Sequence, residues 1–265
     1  MYSKNIDDYK LLQKIGSGAF SYIYKGTYNE KVVAIKKIDK RKVNQNIISS
    51  EIEIFGKLTE INPHIIELYE FIDNNDFLYI IMEYIEGDDL YNYFNRYSPL
   101  SEHEIENIFN QIIISVLYCH NILLAHRDIK LENFMIDKNN RVVLIDFGFS
   151  TSSQIRQFTI QGTAHYVAPE LYSIKTSGYD SKKIDMWALG TLLYILMYGK
   201  YPFKGRHSNE IPTRLTEYDK QFYLTDKVYY PYYGKNDKIK KSISGLICAD
   251  EEKRLSIDKL YNIWY

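Results

Sequence analysis

The feature that most constrains the fold is a change in hydrophobic periodicity near residue 87. Residues 9–38 and 64–85 alternate apolar and polar side chains and are rich in β-branched residues, which is typical of strands. Residues 44–59 lie between them and show helical periodicity, and the pattern after residue 87 is mostly helical. The change falls at the polar residues 86–89, which we interpret as a turn. The sequence therefore predicts an α+β protein in which a small sheet-rich lobe precedes a larger helical lobe.

Two further patterns support helices in the second part of the chain. Ser101 and Glu104 form a capping-box pair before the apolar-periodic residues 105–120, which predicts a helix start. The longest stretch without Asp, Glu, Lys, Arg or His, residues 186–199, is shorter than the ~18–20 apolar residues that cross a bilayer. We therefore expect a helix buried in protein and no membrane insertion. Because residues 1–8 lack the apolar core of a signal peptide, we expect a soluble, cytoplasmic protein, with the nucleus as the other location left open.

Composition excludes several classes of protein. The 265 residues allow either one large two-lobed domain or two ordinary domains, and 45% hydrophobic with 25% charged residues is typical of a globular chain. The 33 basic and 34 acidic residues give a net charge of −1, so we expect no non-specific binding of nucleic acid. Two cysteines, Cys119 and Cys248, are too few for a disulfide scaffold or a zinc cage, which favours a reducing compartment.

A glycine-containing loop, residues 16–21 (Gly-Ser-Gly-Ala-Phe-Ser), separates two strand-like segments. Glycines in such a loop let backbone amides approach phosphate oxygens closely. The third position of the G-x-G-x-x-G pattern is Ser21, and no helix follows the loop, which argues against a dinucleotide-binding fold. An ordinary β-turn is the equal alternative.

The strand that ends in Lys36 combines a small residue with a cation. In Val-Val-Ala-Ile-Lys, the period of two places Ala34 and Lys36 on one face and Val33 and Ile35 on the other. This arrangement suits an adenine ring beside the small residue and a phosphate beside the ammonium group. The alternative is a surface lysine at the end of a strand.

Helical geometry selects a partner for Lys36 in residues 44–59. At ~100° per residue, Glu51 falls on the apolar stripe that contains Ile54 and Phe55, whereas Glu53 points to the opposite side. A glutamate on an apolar stripe needs a charge partner, because burying an unpaired carboxylate costs several kcal/mol. We therefore expect Glu51 to pair with Lys36.

The densest chemical signal consists of two strings in order, Ala-His-Arg-Asp-Ile-Lys-Leu-Glu-Asn and Val-Leu-Ile-Asp-Phe-Gly. The first contains Asp128, Lys130 and Asn133, and the second contains Asp146. Phosphoryl transfer needs one carboxylate to accept or orient a hydroxyl proton, and another carboxylate plus an amide to hold Mg²⁺. These residues supply that set, and Lys130 adds a cation for the transferring phosphoryl group.

Together these motifs resemble a eukaryotic-type protein kinase of the serine/threonine class over residues 9–265. Residues 126–133 and 162–170 are most similar to the calcium/calmodulin-dependent and energy-sensing (CAMK-like) kinases. The resemblance implies a bilobal fold, with an antiparallel-sheet N-lobe carrying one key helix (residues 9–86, including the hinge) and a helical C-lobe (residues 87–265). It also implies transfer of the γ-phosphate of ATP to Ser or Thr hydroxyls of protein substrates.

The family pattern assigns roles to individual residues. The catalytic residues are expected to be Lys36, Glu51, Asp128 as the base, and Lys130. Mg²⁺, with Mn²⁺ as the alternative, is expected to bind Asn133 and Asp146. Met82 falls at the gatekeeper position, and residues 83–85 form the hinge that reads adenine. The residues expected to bind nucleotide are Ile15, Gly16, Gly18, Ile23, Ala34, Lys36, Met82, Glu83, Ile85, Asp89 and Met135.

Further motifs extend the resemblance through the chain. Residues 162–170 resemble the end of an activation segment, and residues 185–190 resemble the start of the buried central helix. Arg254 matches the arginine that pairs with the Glu170 position. The apolar column that links the lobes is expected to contain Phe55, Leu68, His126 and Phe147, a reading compatible with plain core packing.

Acceptor and flanking preference depend on a few positions. Lys130 and Thr163 resemble serine/threonine rather than tyrosine kinases. Asp89 and Glu132 match acidic positions that meet arginine upstream of the acceptor in basophilic relatives, so basic flanking residues are one hypothesis and no preference is the other. Thr159 lies where many relatives are phosphorylated.

One rival function stays open from sequence alone, and a second one fails. A pseudokinase scaffold would bind nucleotide or partners without turnover, and only Ser21 recommends it. A small-molecule kinase conflicts with residues 162–170, which resemble a platform for protein substrates. We expect the protein to be a monomer and its partners to be protein substrates. The sequence also leaves room for a regulatory partner but does not identify one.

Overall fold

The computed structural model describes residues 5–18, 20–43, 45–58, 61–154, 156–157, 162–172, 178–202 and 236–265. For residues 45–47, 50, 51, 164 and 172 it describes the backbone alone.

The N-terminal region is a five-stranded antiparallel sheet in the order β1-β2-β3-β5-β4. Its strands are β1 (Lys10–Ser17), β2 (Ser21–Tyr28), β3 (Lys31–Asp39), β4 (Leu68–Asp73) and β5 (Phe77–Glu83). The helix α1 (Gln45–Lys57) lies between β3 and β4 in the chain, as its periodicity predicts. The alternation in β3 is confirmed, since Ala34 belongs to the main core whereas Val33 and Ile35 belong to a smaller cluster on the other face of the sheet.

The C-terminal region is mainly helical. Among the described residues, its helices are α2 (Leu90–Tyr97), α3 (Glu102–Asn121), α4 (Ser181–Tyr198), α5 (Asp237–Leu246) and α6 (Ile257–Trp264). The capping box at the start of α3 is confirmed: Ser101 Oγ accepts from the Glu104 N–H, and the Glu104 carboxylate accepts from the Ser101 N–H. The protein is therefore an α+β fold, with an antiparallel sheet in the N-terminal region and helices in the C-terminal region.

In the part of this region that the structure describes, five short strands lie beside these helices. A three-stranded sheet has the order β6 (Gly87–Asp89), β8 (Phe134–Asp137) and β9 (Val142–Leu144). A second sheet pairs β7 (Leu124–Ala125) with β10 (Thr151–Ser152). The interpretation of residues 86–89 as only a turn is wrong, because β6 pairs with β8. Gly87 permits this pairing, since a Cβ there would lie 1.9 Å from the Ile136 carbonyl oxygen.

One continuous hydrophobic core runs from the inner face of the five-stranded sheet to α6. The helix α4 lies within this core, and fifteen of its residues are buried, which agrees with the predicted buried helix. Within the described ranges, no helix is long and apolar enough to span a membrane.

Candidate active site

Asp128 lies at the centre of a hydrogen-bonded cluster between β7 and β8. Its Oδ2 accepts from Lys130 Nζ at 2.6 Å and from Asn133 Nδ2 at 3.0 Å. Its Oδ1 accepts from Thr163 Oγ1 at 2.9 Å, and Lys130 Nζ also donates to Thr163 Oγ1 at 3.0 Å. Asp128 is 6% exposed, so these bonds hold a carboxylate that is almost removed from water. The structure thus brings together three residues that the sequence selected, and adds Thr163.

The backbone around Asp128 is held by a buried carboxylate on α4. Asp185, 1% exposed, accepts from the N–H of Arg127 at 2.7 Å and from the N–H of His126 at 2.8 Å. It also lies 3.0 Å from His120 Nε2. Arg127 has a φ of +66°, a conformation that costs a non-glycine residue free energy and that these bonds stabilise. Asp185 therefore fixes the conformation of the loop that carries Asp128.

Sequence reasoning missed this role of Asp185, which it placed only at the start of a buried helix. A signal was present, since Asp185 directly precedes the longest stretch of the chain without Asp, Glu, Lys, Arg or His. A buried carboxylate needs several donors, but the sequence does not show that backbone N–H groups 58 and 59 residues away supply them.

Lys36 meets Asp146 on the other side of the cluster. Lys36 Nζ, on β3, lies 3.3 Å from Asp146 Oδ1, which also accepts from the Gly148 N–H at 3.1 Å. Burial raises the pKa of Asp146, but the charge of Lys36 and these hydrogen bonds together lower it by more than burial raises it. The pKa of Asp146 therefore lies below its usual value. Asp146 is therefore ionised at neutral pH. The side chain of Glu51 lies outside the description, so its pairing with Lys36 stays a prediction.

Asn133 and Asp146 have donor atoms that fit a hard divalent cation. Asn133 Nδ2 donates to the Asp128 carbonyl oxygen at 2.7 Å and to the Asp128 carboxylate, and Asn133 is 6% exposed. With the amide nitrogen engaged in this way, the amide oxygen is the atom left for a ligand. The side chain of Asp146 is 48% exposed, and only its Oδ1 takes part in the bonds above. One amide oxygen and one ionised carboxylate oxygen are ligands that Mg²⁺ prefers.

The predicted nucleotide-binding residues fall into three pairs of strand neighbours and a few single positions. The pairs are Gly16 with Ile23, Ala34 with Met82, and Asp89 with Met135. A Cβ on Gly16 would lie 3.4 Å from Ile23 Cδ1, and Gly18 donates its N–H to the Ser21 carbonyl oxygen at 2.9 Å. Ile85 is buried, whereas Ile15 is 44% exposed on the edge strand β1.

Asp89 is the one predicted nucleotide-binding residue that caps a helix of the described residues. It is the N-cap of α2, where Oδ1 accepts from the Asn92 N–H at 2.8 Å and Oδ2 accepts from Asn92 Nδ2 at 2.6 Å. A ligand at Asp89 must therefore share or replace these bonds.

The predicted apolar column is assembled from both regions of the chain. Phe147, 1% exposed, packs edge-on against Phe55 of α1 at 6.3 Å and against His126 at 5.1 Å between ring centroids. Burial lowers the pKa of His126, so the imidazole is neutral at neutral pH. Leu68 is partly buried and packs against the same core.

Glu170 and Arg254 form a two-bond ion pair, as the sequence predicts. Arg254 NH1 and NH2 lie 2.6 Å and 2.9 Å from the two carboxylate oxygens of Glu170. The Arg254 side chain has no exposed area. Its Nε also donates to the Cys248 carbonyl oxygen at 2.9 Å, and NH1 donates to that of Lys183 at 2.7 Å. Residues near 170 are thereby tied to α4 and to the segment before α6.

Before the gap at residues 158–161, the chain contacts the loop of Asp128. Arg127 NH1 donates to Gln157 Oε1 at 3.2 Å. Gln157 also exchanges two backbone hydrogen bonds with Tyr179, at 3.1 and 3.0 Å. Thr159, the position predicted to be phosphorylated, lies outside the described residues.

Comparison with known proteins gives one family. The family model of the protein kinase domain matches residues 9–265. NUAK family SNF1-like kinase 1 of Mus musculus is 40% identical over 212 residues, which cover 77% of this chain and 32% of that protein. NUAK family SNF1-like kinase 2 of Homo sapiens is 39% identical over 210 residues, with coverage of 77% and 33%. The chain thus spans about a third of the length of these relatives. With the match extending from Tyr9 to the last residue, the chain belongs to the protein kinase domain family.

Proposed function

We propose that the chain is an ATP-dependent protein serine/threonine kinase that transfers the γ-phosphate to Ser and Thr hydroxyls of protein substrates. The observation that carries the proposal is the cluster in which Asp128 accepts hydrogen bonds from Lys130, Asn133 and Thr163. The Thr163 hydroxyl at 2.9 Å from Asp128 Oδ1 supports the view that this carboxylate can engage an alcohol.

In the proposed reaction, Asp128 orients the acceptor hydroxyl and accepts its proton. Lys130, with its ammonium group 2.6 Å from Asp128, supplies a positive charge that stabilises the charge developing on the transferred phosphoryl group. Lys36 lies on the other side of the site and supplies a second cation for the phosphates, with Glu51 as its proposed partner. The residues act mainly by positioning and by electrostatic stabilisation.

The proposed metal is Mg²⁺, with Mn²⁺ as the alternative, held by the amide oxygen of Asn133 and the carboxylate of Asp146. When bound, such an ion neutralises phosphate charge and orients the phosphoryl group. The lowered pKa of Asp146 supports this assignment, because a metal ligand must be deprotonated.

We propose the nucleotide site between the five-stranded sheet and the β6–β8–β9 sheet, with the lobe boundary at residues 86–87. The strand neighbours Ala34 and Met82 lie on one side of this boundary, and Met135 lies on the other. Gly16 and Gly18 are proposed to cover the phosphates. The hinge, residues 83–85, connects the two lobes.

Glu132 gives the proposal of basic flanking residues its structural support. Its Oε2 is buried and has no hydrogen-bond partner among the described residues. A buried carboxylate oxygen without a partner favours binding of a ligand that brings a hydrogen-bond donor. A guanidinium group is the best match to a carboxylate in charge and shape. Asp89 supports the proposal less, because Asn92 already occupies both of its oxygens.

A peptide library with γ-labelled ATP and Mg²⁺ tests the proposal. We expect label on Ser and Thr peptides, none on Tyr peptides, and more label where arginine precedes the acceptor. Nucleotide binding without any transfer would favour the pseudokinase alternative. Equal labelling with and without arginine would refute the flanking preference while leaving the kinase activity intact.

A further inference from the structure

The guanidinium of Arg141, the residue directly before β9, contacts three separate segments of the chain. NH2 donates to Glu83 Oε1 at the end of β5, and Nε donates to Asp137 Oδ2 at 3.2 Å. NH1 lies 3.5 Å from the carbonyl oxygen of Pro63, in the loop between α1 and β4. One side chain therefore connects the first hinge residue, the last residue of β8 and the loop that follows α1.

The segment that carries Arg141 is itself fixed to the helical region. Gln111 of α3 accepts from the Val142 N–H at 2.8 Å and donates to the Asn140 carbonyl oxygen at 2.9 Å. The backbone of β9 also pairs with the loop between α1 and β4, since the Leu144 N–H donates to the His64 carbonyl oxygen at 3.0 Å. The backbone on both sides of Arg141 is therefore fixed by α3, and from there the side chain contacts the hinge.

The charges around Arg141 make this contact stronger than an ordinary surface ion pair. The side chains of Glu83 and Asp137 are 19% and 14% exposed, and Arg141 is 32% exposed. Burial raises the pKa of Asp137, but hydrogen bonds from the backbone and from Arg141 together lower it by more than burial raises it. The pKa lies below its usual value, so the carboxylate stays ionised at neutral pH. Without Arg141, two largely buried carboxylates would each lose a charge-assisted hydrogen bond.

The contact acts on the segment that the proposed function assigns to adenine. Glu83 follows Met82 on β5, and its N–H donates to the Glu67 carbonyl oxygen at 2.8 Å. Its backbone is thus held on the sheet side while Arg141 holds its side chain from the helical side. A segment fixed from two sides loses little conformational entropy when a ligand binds.

We propose that Arg141 is a positioning residue that pre-organises the hinge and thereby lowers the dissociation constant for the adenine nucleotide. It touches neither substrate nor nucleotide and acts through Glu83. This role rests on the proposed function, because it assumes that residues 83–85 bind adenine.

The chain offers a matched control on the same turn. Lys138 Nζ lies 3.4 Å from Glu86 Oε2, but both side chains are highly exposed, at 74% and 73%. Such a pair contributes little to stability or to geometry. Lys138→Ala therefore removes a cation one residue after β8 without touching Glu83 or Asp137.

The test measures the dissociation constant of ADP by isothermal titration calorimetry, together with kcat and the KM values for ATP and peptide. We expect Arg141→Ala to raise the ADP dissociation constant and the KM for ATP about fivefold, which corresponds to about 1 kcal/mol. We expect kcat and the peptide KM to change less than about twofold, because Asp128 is untouched. Arg141→Lys keeps one charged donor and is expected to fall between the wild type and Arg141→Ala. Lys138→Ala should match the wild type.

Two outcomes would overturn the proposal. One is an ADP dissociation constant for Arg141→Ala and Arg141→Lys equal to that of Lys138→Ala, with only thermal stability reduced, which would assign Arg141 a purely structural role. The other is an increase in kcat with unchanged nucleotide affinity, which would mean that the contact restrains the lobes. If Arg141→Ala does not fold, the comparison of the ADP dissociation constants of Arg141→Lys and Lys138→Ala decides alone. If the wild type binds ADP but transfers no phosphate, the proposed function fails while the ADP titrations still decide the role of Arg141.

Discussion

The ion pair between Glu170 and Arg254 allows a stability prediction with a defined magnitude. In Glu170→Ala the guanidinium of Arg254 stays in a site with no exposed area. Among the described residues, it keeps as acceptors the carbonyl oxygens of Cys248 and Lys183. Removing one partner of a buried pair costs about 3–5 kcal/mol, because an uncompensated charge is left behind. We therefore expect the free energy of unfolding to fall by about that amount, a large part of the 5–15 kcal/mol typical of a domain.

Urea unfolding followed by tryptophan fluorescence measures this change, and Trp187 is a suitable reporter because it lies 5.1 Å from the Arg254 guanidinium. The control is Glu53→Ala on α1, where Glu53 lies 3.3 Å from Lys57 but is 70% exposed, so we expect less than about 1 kcal/mol. Glu170→Gln, which keeps an acceptor of the same shape, should fall between the two. A loss for Glu170→Ala no larger than that for Glu53→Ala would refute the reasoning, since burial would then add nothing to the pair.

Three further predictions use glycine, backbone conformation and the Asp128 cluster. Gly190→Ala should destabilise the fold by about 1–3 kcal/mol, because its Cβ would lie 2.7 Å from Ile247 Cγ1 and from Leu246 Cβ. By contrast, Gly56→Ala on α1 has open space around its Cβ and should stabilise the fold by about 0.5–1 kcal/mol. A free energy of unfolding in urea that changes in the same direction in both variants would contradict this. Leu123 has a φ of +58° and is 42% exposed, so Leu123→Gly should stabilise by about 0.5 kcal/mol in thermal or urea unfolding, whereas Leu123→Ala should not. Thr163→Val removes the hydroxyl that is hydrogen-bonded to Asp128 and Lys130. It should lower kcat about tenfold, which corresponds to about 1.4 kcal/mol, and leave the KM for ATP unchanged. Thr163→Ser should retain activity, and an equal loss of kcat in both variants would contradict a role for the hydroxyl.

The elements that depend on local pattern were predictable from the sequence. Alternation placed Val33 and Ala34 on opposite faces of β3, and the pair Ser101 and Glu104 marked the start of α3. These predictions succeed because side-chain direction and capping are set by residues within a few positions of each other. The ordered motifs likewise gave the family, since the catalytic string is contiguous along the chain.

Contacts between distant residues were not predictable in the same way. Residues 86–89 read as a polar turn, but β6 forms because β8, more than 40 residues later, supplies a partner strand and Gly87 allows its close approach. Similarly, the charge of Asp185 was visible in the sequence, but its backbone donors at Arg127 and His126 were not. Arg141 carried no sequence signal, because its contact with Glu83 joins residues 58 positions apart.

The central claim is that Asp128 is the base of a phosphoryl transfer to protein hydroxyls. Single-turnover transfer from γ-labelled ATP to a Ser peptide tests it most directly, with wild type and Asp128→Asn compared at saturating nucleotide. Removing a positioned base typically costs about 10²–10⁴-fold in rate, so we expect a loss of that size while the ADP dissociation constant stays within about twofold. Transfer by Asp128→Asn at the wild-type rate would contradict the account.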